Sequence, residues 1–490
     1  MAEGRSKEFK RHFLGIHFFN PPRYLKLLEI IPISETDKEI IKFISRFGEY
    51  RLGKGVVICK DTPNFIGNRV FFGTSTFGMN FILENDYTVD EVDSITGPLI
   101  GRPKTATFRL ADLVGIDVWE HVGKNLGPMI PHDKLAQEYL KDDASSKLIA
   151  ALVERKWLGN KTKVGFYKEV RKEDGAGAQG ASREFWPLDL KTLEHVAPTK
   201  PRFDSVKAAK DVADLGVRLK IFLDADDKAA KLVQALTYQG FQYAASLLPE
   251  IADSPKPIDD AVRWGFNHEA GPFETWDMLG VGETVKRMKA AGHPAPRWVE
   301  AMLKSGNETF YQYKNGLKIS VYDVNKEKYV RLAKPDGVVV LKSLTIINEN
   351  AGATLLDMRD GIACVEFHTK MNALDDDIMN MLSEAMDRVE QDFDGLVIGN
   401  QAENFSAGAN LFMIVVGAQQ GMWDMLKQAA CKLQSLNMRM RYFPKPVVVA
   451  PAGLALGGGC EITMHASRVV ASPETYIGLV ELGAGIIPAG

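Results

Sequence analysis

Two groups of residues in this sequence could do chemistry. The first is His17, in Gly15-Ile-His-Phe-Phe-Asn-Pro-Pro22, with Glu29 twelve residues later in Lys26-Leu-Leu-Glu29. A histidine on a strand that runs into a proline turn brings its ring to a sheet edge, where open α/β sheets bind ligands. A carboxylate beside it would fix the imidazole tautomer and raise its basicity, as a general base requires. From spacing alone, a half-buried structural histidine and an unrelated surface glutamate answer the pattern better. The second group is Pro451-Ala-Gly-Leu-Ala-Leu-Gly-Gly-Gly-Cys-Glu461. Three glycines at a strand-to-helix junction leave backbone N–H groups uncovered, and the positive end of the following helix points at the same spot. With Glu461 in the first helical turn, this arrangement could hold an enolate oxygen beside a carboxylate. A tight helix–strand contact with a capping glutamate answers the pattern equally well.

The elements that must position these residues follow from periodicity. Leu14 to Phe19, Lys26 to Ile31 and Val56 to Cys59 are β-rich runs, and Asp37 to Leu52 repeats apolar residues at helical spacing. Residues 1–60 therefore read as the tail of an α/β sheet. Residues 61–167 are helical in pattern, 168–215 form a linker rich in charge, glycine and proline, and 216–316 are helical again. The two helical blocks share a pattern. Phe108-Arg-Leu-Ala-Asp112-Leu-Val-Gly115 lines up with Phe273-Glu-Thr-Trp-Asp277-Met-Leu-Gly280, each after an acidic helix start, which predicts a duplication. Residues 317–350 read as a β-containing connector centred on Gly337-Val-Val-Val-Leu341. In 351–490, strands and helices alternate: strand Ala363 to Phe367, helix Ala373 to Asp392, strand Gly395 to Gly399, helix 420–442, strand Val447 to Ala450, and a helical run from Cys460 to Val470.

Composition narrows the function classes. The 490 residues exceed one ordinary domain, and 45% hydrophobic with 25% charged residues is an ordinary globular balance. A net charge of −3 with no basic stripe argues against nucleic acid. No apolar run reaches bilayer-spanning length, and the polar start has no signal-peptide core. Four scattered cysteines offer neither a disulfide framework nor a zinc site, so no metal is expected and a reducing, cytoplasmic setting is. Gly175-Ala-Gly-Ala-Gln-Gly180 formally matches G-x-G-x-x-G but sits between charged flanks instead of a strand and a helix, and is rejected. Trp264 and Trp276 read as core, and His268-Glu269 as a surface pair.

Sequence motifs add a family resemblance at each end. His17-Phe-Phe-Asn-Pro, Lys26-Leu-Leu-Glu29, Lys60-Asp-Thr-Pro-Asn-Phe-Ile-Gly-Asn68-Arg and Gly159-Asn-Lys-Thr-Lys-Val-Gly-Phe-Tyr167 together resemble the 3-hydroxyacyl-CoA dehydrogenase family over residues 13–167. The second helical block resembles that family's repeated C-terminal domain. The resemblance implies His17 as the base that takes the 3-hydroxyl proton as hydride leaves for NAD, Glu29 as its orienting partner, and Asn68 as a holder of substrate and histidine. It also implies that the NAD-binding half, with its glycine-rich loop and a substrate-contacting serine, lies ahead of this chain, so that residues 1–60 are the remnant of a Rossmann-type sheet.

Lys370-Met-Asn-Ala-Leu374, Asn404-Phe-Ser-Ala-Gly-Ala-Asn-Leu411, Leu454-Ala-Leu-Gly-Gly-Gly-Cys-Glu461 and Tyr476-Ile-Gly-Leu-Val-Glu481 resemble the enoyl-CoA hydratase/isomerase (crotonase) superfamily over about 351–490. By motif position the backbone N–H groups of Ala409 and Gly458 would form an oxyanion hole. Glu461 and Glu481 would be the two acids that hydration needs. Asn410 stands where many members carry Asp. The implied whole is a bifunctional fatty-acid β-oxidation protein, interrupted at both ends. A partial crotonase-like α/β spiral would follow two repeated helical dehydrogenase domains. Acyl-CoA substrates carried as CoA thioesters, a homo-oligomeric assembly and a thiolase partner are implied with it. With covering helices absent, the apolar face of the Ala373–Asp392 helix would be partly bare. A chain with hydratase or isomerase activity only, and an inactive CoA-ester-binding chain, are the competing readings.

Overall fold

The computed structural model describes residues 2–141, 144–172, 182–314, 316–333 and 337–490. The rejected Gly175–Gly180 match lies outside the described residues. The chain divides into two compact units. One runs to Tyr313 and takes in Lys318–Leu332; the other holds Lys314–Leu317 and Ala333–Gly490.

In the first unit, β1 (Leu14–Phe18), β2 (Leu27–Pro32) and β3 (Gly55–Ile58) form a sheet in that order, β1 antiparallel and β3 parallel to β2. The register sets His17 directly opposite Glu29. A helix, Lys38–Leu52, covers one face, and Gly48 comes close to Leu28 and Val56. The helix Gly67–Glu84 follows and is buried on more than one side, Val70 facing opposite to Met79 and Ile82.

The duplication expected from sequence reappears as one hydrogen-bond scheme used twice. Asp93, near the end of the helix Val89–Ile95, accepts from Phe108 N–H (2.7 Å), Arg109 N–H (3.0 Å) and the Tyr167 hydroxyl (3.0 Å). Asp259 accepts from Phe273 N–H (2.8 Å), Glu274 N–H (3.0 Å) and the Tyr311 hydroxyl (2.6 Å). Asp112 then accepts from Phe166 and Tyr167 N–H, as Asp277 does from Phe310 and Tyr311 N–H. Each aspartate caps orphan N–H groups at a helix start or a strand start. Burial raises Asp93 and Asp112 to about 6 and Asp277 to about 7, while these hydrogen bonds pull the other way. Asp259→Ala would leave two buried N–H groups and a phenol unpaired, so its expected cost is about 3 kcal/mol of unfolding free energy. Urea unfolding followed by tryptophan fluorescence reads it; a loss below about 1 kcal/mol would contradict the shared scheme.

Several expected boundaries move. The stretch 168–215, expected as a linker, carries an antiparallel pair, Tyr167–Lys172 with Ser182–Pro187, and a helix, Asp204–Ala209. Charges on the open side of a two-stranded ribbon hide its strand pattern. The expected connector 317–350 is split: Leu317–Asp323 and Lys328–Arg331 join Tyr311–Lys314 in one sheet, and the Gly337–Leu341 run is not a strand. Trp276 is core as read, whereas Glu269 pairs with Arg218 (2.6 Å) and His268 is half-buried, so these two are not a surface pair.

The second unit is built on a six-stranded sheet ordered Arg468–Val469, Val447–Ala450, Gly395–Gly399, Ile362–Phe367, Ala353–Arg359, Thr345–Glu349. The first four strands pair in parallel and the last two antiparallel. The helix expected from Ala373 starts at Asp376, because Met371 and Asn372 take positive φ and Asp375 caps the turn through Ile378 N–H (3.0 Å). Its apolar face, expected to be partly bare, is buried: Ile378, Leu382, Ala385, Met386 and Val389 all lie in the core. Bare apolar residues occur instead on Leu411–Gln419, where Phe412 is 72% exposed. That helix was not expected, since a continuous Leu-Phe-Met-Ile-Val-Val run carries no helical period. The helix expected over 420–442 spans Trp423–Arg441. The run from Cys460 resolves into the helix Gly458–Met464 and the strand Arg468–Val469.

Candidate functional site

Each unit holds one cluster of the expected site residues. In the first unit, Glu29 sits in the middle of β2 with no solvent exposure. A lone buried carboxylate would be costly, and here it is fully engaged. Its Oε2 lies 2.7 Å from His17 Nδ1, and its Oε1 accepts from Ile66 N–H (3.1 Å) and Gly67 N–H (2.9 Å), at the N-terminus of the helix Gly67–Glu84. That helix end supplies both donors and a favourable dipole. A carboxylate accepts only, so Nδ1 carries the proton and Nε2 keeps its lone pair. The His17 ring packs against Phe19 (4.9 Å between centroids) and Phe65 (5.7 Å).

His17 and Asn68 both line a cavity of about 950 Å3. Its apolar wall includes Phe71 and Trp119, and Phe266 and Asn267 reach it from the second helical block. The contribution of that block was not foreseen, since nothing in the local sequence near 266 points at a site. The two N–H donors to Glu29 were equally invisible, being backbone groups. Cys59 lies beside this centre; burial first, then the charge of Glu29, push its thiol far above the usual range. It is held as a neutral thiol and is no nucleophile. The cavity has the size and lining of a small-molecule site, with a few polar groups converging on one wall.

In the second unit, the glycine run forms a sharp turn. Gly457 adopts φ +54°, ψ −124°, a conformation closed to residues with a Cβ. A Cβ there would lie 3.1 Å from Glu481 Oε1, and one on Gly458 would lie 3.7 Å from Glu461 Oε2. Both carboxylates thus flank the same two residues. Gly408 faces this turn from the neighbouring loop at φ +82°; its ideal Cβ would lie 3.1 Å from the Gly458 nitrogen. The loop is held by Gly408 N–H donating to Ser406 Oγ (3.1 Å) and by Leu374 N–H donating to Gly408 O (2.9 Å). Ala409, the next residue, therefore lies beside Gly458. Among the described residues no acceptor takes the Ala409 or the Gly458 N–H. Asn410 accepts from Phe412 and Met413 N–H as the cap of its helix and is occupied there.

Glu461 is 5% exposed, and its Oε1 accepts from Gly490 N–H (2.7 Å). Glu481 Oε2 is buried with no hydrogen-bond partner. An oxygen in that state is poised for a ligand or a water. Burial, then the charges of Glu481 and Glu461, raise the Cys460 thiol. Two N–H groups without acceptors and two carboxylates at one turn can stabilise an oxyanion while a proton is taken up and another delivered. No group of three or more His, Cys, Asp or Glu side chains that could hold a metal occurs among the described residues. No helix among them is long and apolar enough to cross a membrane.

Comparison with known proteins matches three stretches of the chain. Residues 2–62 match the family profile of the 3-hydroxyacyl-CoA dehydrogenase NAD binding domain, and residues 65–169 that of its C-terminal domain. Residues 357–490 match the enoyl-CoA hydratase/isomerase family. The expectation that residues 1–60 are only a remnant of the NAD-binding domain, with the NAD site missing, is not borne out, since residues 2–62 match the NAD binding domain profile. A probable 3-hydroxyacyl-CoA dehydrogenase of Bacillus subtilis is 42% identical over 100% of this chain and 60% of its own length. A putative fatty acid oxidation complex trifunctional enzyme of Rickettsia felis is 29% identical over 100% of this chain and 62% of its own. The chain thus spans less than two thirds of the length of these relatives.

Proposed function

We propose that this chain serves fatty-acid β-oxidation, hydrating trans-2-enoyl-CoA and oxidising 3-hydroxyacyl-CoA, since its two ends match 3-hydroxyacyl-CoA dehydrogenase and enoyl-CoA hydratase/isomerase profiles. The observation that carries the hydratase reading is the meeting, at one glycine turn, of Glu461, Glu481 and the Ala409 and Gly458 N–H groups, which find no acceptor among the described residues. The thioester oxygen is held by the two N–H groups. One carboxylate, ionised, takes a proton from water as its oxygen bonds to C3; the other, protonated, delivers a proton to C2. The electron pair of the double bond passes through the enolate, whose charge the N–H groups and the helix dipole stabilise.

In the first unit His17 is the base for the 3-hydroxyl proton. Glu29 holds its Nδ1–H and stabilises the imidazolium that results. Asn68, on the cavity wall, orients the hydroxyl. The match over 2–62 implies NAD, which when bound would accept the hydride from C3. None of the described residues is assigned to its pyrophosphate. A cytoplasmic location, self-assembly and a thiolase that consumes the 3-ketoacyl-CoA product complete this reading.

Purified chain is expected to bleach the enoyl-thioester absorbance of crotonyl-CoA. A well-folded chain that fails to do so would refute the hydratase reading. Gly408→Val tests the hole itself. Its Cβ would lie 2.7 Å from Leu456 O, and its side chain would cover the Gly458 N–H. The expected loss in kcat is about a hundredfold or more, with KM changed less. Unaltered turnover would show that the oxyanion sits elsewhere.

A further inference from the structure

The cavity of the first unit has a cation beside its rim that the reaction does not use. Arg102 immediately precedes Pro103, and His268 immediately follows Asn267; Pro103 and Asn267 both line the cavity. The two segments are tied together where they meet, Glu269 N–H donating to Gly101 O (2.8 Å). Arg102 and His268 are both half-buried. Among the described residues no hydrogen bond or ion pair reaches the Arg102 guanidinium, although Glu269, the nearest acid in sequence to His268, is close at hand. That carboxylate is taken by Arg218 at 2.6 Å.

A guanidinium that no carboxylate neutralises, one residue from the lining of a binding cavity, is open to pairing with an anionic group of a ligand. The electrostatics agree. Burial alone pulls Arg102 down to about 10, with no acidic neighbour to offset it, and burial followed by the Arg102 charge holds His268 near 3. His268 is therefore a neutral imidazole, able to donate one hydrogen bond without adding charge. A guanidinium fork beside a neutral N–H donor suits a phosphate oxygen pair. Lys104, exposed two residues on, adds positive potential on the same loop.

We infer that Arg102 and His268 form a subsite for a phosphate group of the CoA thioester whose acyl end reaches His17. This rests on the acyl-CoA reading above and deepens it: the second helical block would bind the carrier while the first holds the reacting end. A nicotinamide dinucleotide brings the same chemical group, and the test separates the two sources.

Hydrogen exchange of the peptides that line the cavity, residues 67–84 and 108–124, reads occupancy of this site alone on the full chain. The chain is titrated with acetoacetyl-CoA, with acetoacetyl-pantetheine, which lacks phosphate, and with NADH. Arg102→Gln is expected to raise the protection midpoint for acetoacetyl-CoA about tenfold or more, and His268→Ala less, with the pantetheine ester unchanged. Arg102→Lys should recover part of the loss. An unshifted acetoacetyl-CoA midpoint, an equal shift for both esters, or a shift confined to NADH would overturn the subsite while leaving the acyl-CoA reading intact. Absence of protection by both esters in the unsubstituted chain would overturn that reading and the subsite with it.

Discussion

Glu481→Gln is expected to lower kcat for crotonyl-CoA hydration by about a thousandfold or more, with the fold intact. Its Oε1 lies beside Gly457 and its Oε2 is buried without a partner, so the carboxylate serves no packing role that glutamine could not fill. What glutamine cannot do is gain or lose a proton. Hydration needs both transfers, one proton taken from water and one delivered to C2, and a single remaining acid leaves one of them without its group. The oxyanion hole would be untouched, so binding of crotonyl-CoA should persist while turnover falls. That split between KM and kcat marks a group acting in the transition state. Glu461→Gln should also stop turnover, and its amide oxygen can still accept from Gly490 N–H. Loss of absorbance by crotonyl-CoA, followed at saturating substrate, measures the effect. A fall of less than about tenfold for Glu481→Gln would remove it from the proton-transfer machinery.

The residues of this centre were legible because their chemistry is local. Gly457 must be glycine to reach its backbone angles, and the motif that carries it also carries Glu461. Their partners 20 residues or more away came from family resemblance alone, since no periodicity links Glu481 or Ala409 to that turn. The matched helical blocks were legible because Asp112 and Asp277 stand in the same Phe-x-x-x-Asp-x-x-Gly pattern, and each caps two consecutive N–H groups, of Phe166 and Tyr167 in one block and Phe310 and Tyr311 in the other. What stayed hidden was long-range or disguised. The strand Tyr167–Lys172 carries charged residues that break the apolar–polar alternation of a strand, and the helix Leu411–Gln419 is apolar on every side. Phe266 and Asn267 reach the first cavity across more than 100 residues of chain, which no local pattern could announce.

At His17 the decisive experiment changes a proton's address and almost nothing else. In the native site Glu29 accepts from Nδ1–H, which leaves Nε2 as the basic nitrogen of a residue on the cavity wall. In Glu29→Gln the amide oxygen can still accept from Ile66 and Gly67 N–H, and the amide NH2 then faces Nδ1. The imidazole must answer as an acceptor there, and its proton moves to Nε2. The base is blocked without leaving its place. The same inversion in a serine-protease triad costs about 10⁴ in kcat, and a comparable loss of about 10³ to 10⁴ is expected for 3-hydroxyacyl-CoA oxidation. Two measurements separate this from simple damage. Nitrogen chemical shifts of labelled His17 should show the Nδ1–H tautomer in the native chain and the Nε2–H tautomer in Glu29→Gln. Unfolding free energy should fall little for glutamine but by about 3 kcal/mol for Glu29→Ala, which strands two buried N–H groups. If Glu29→Gln keeps the Nδ1–H tautomer, the glutamate is only a cap for the helix Gly67–Glu84 and not the orienting partner of a base.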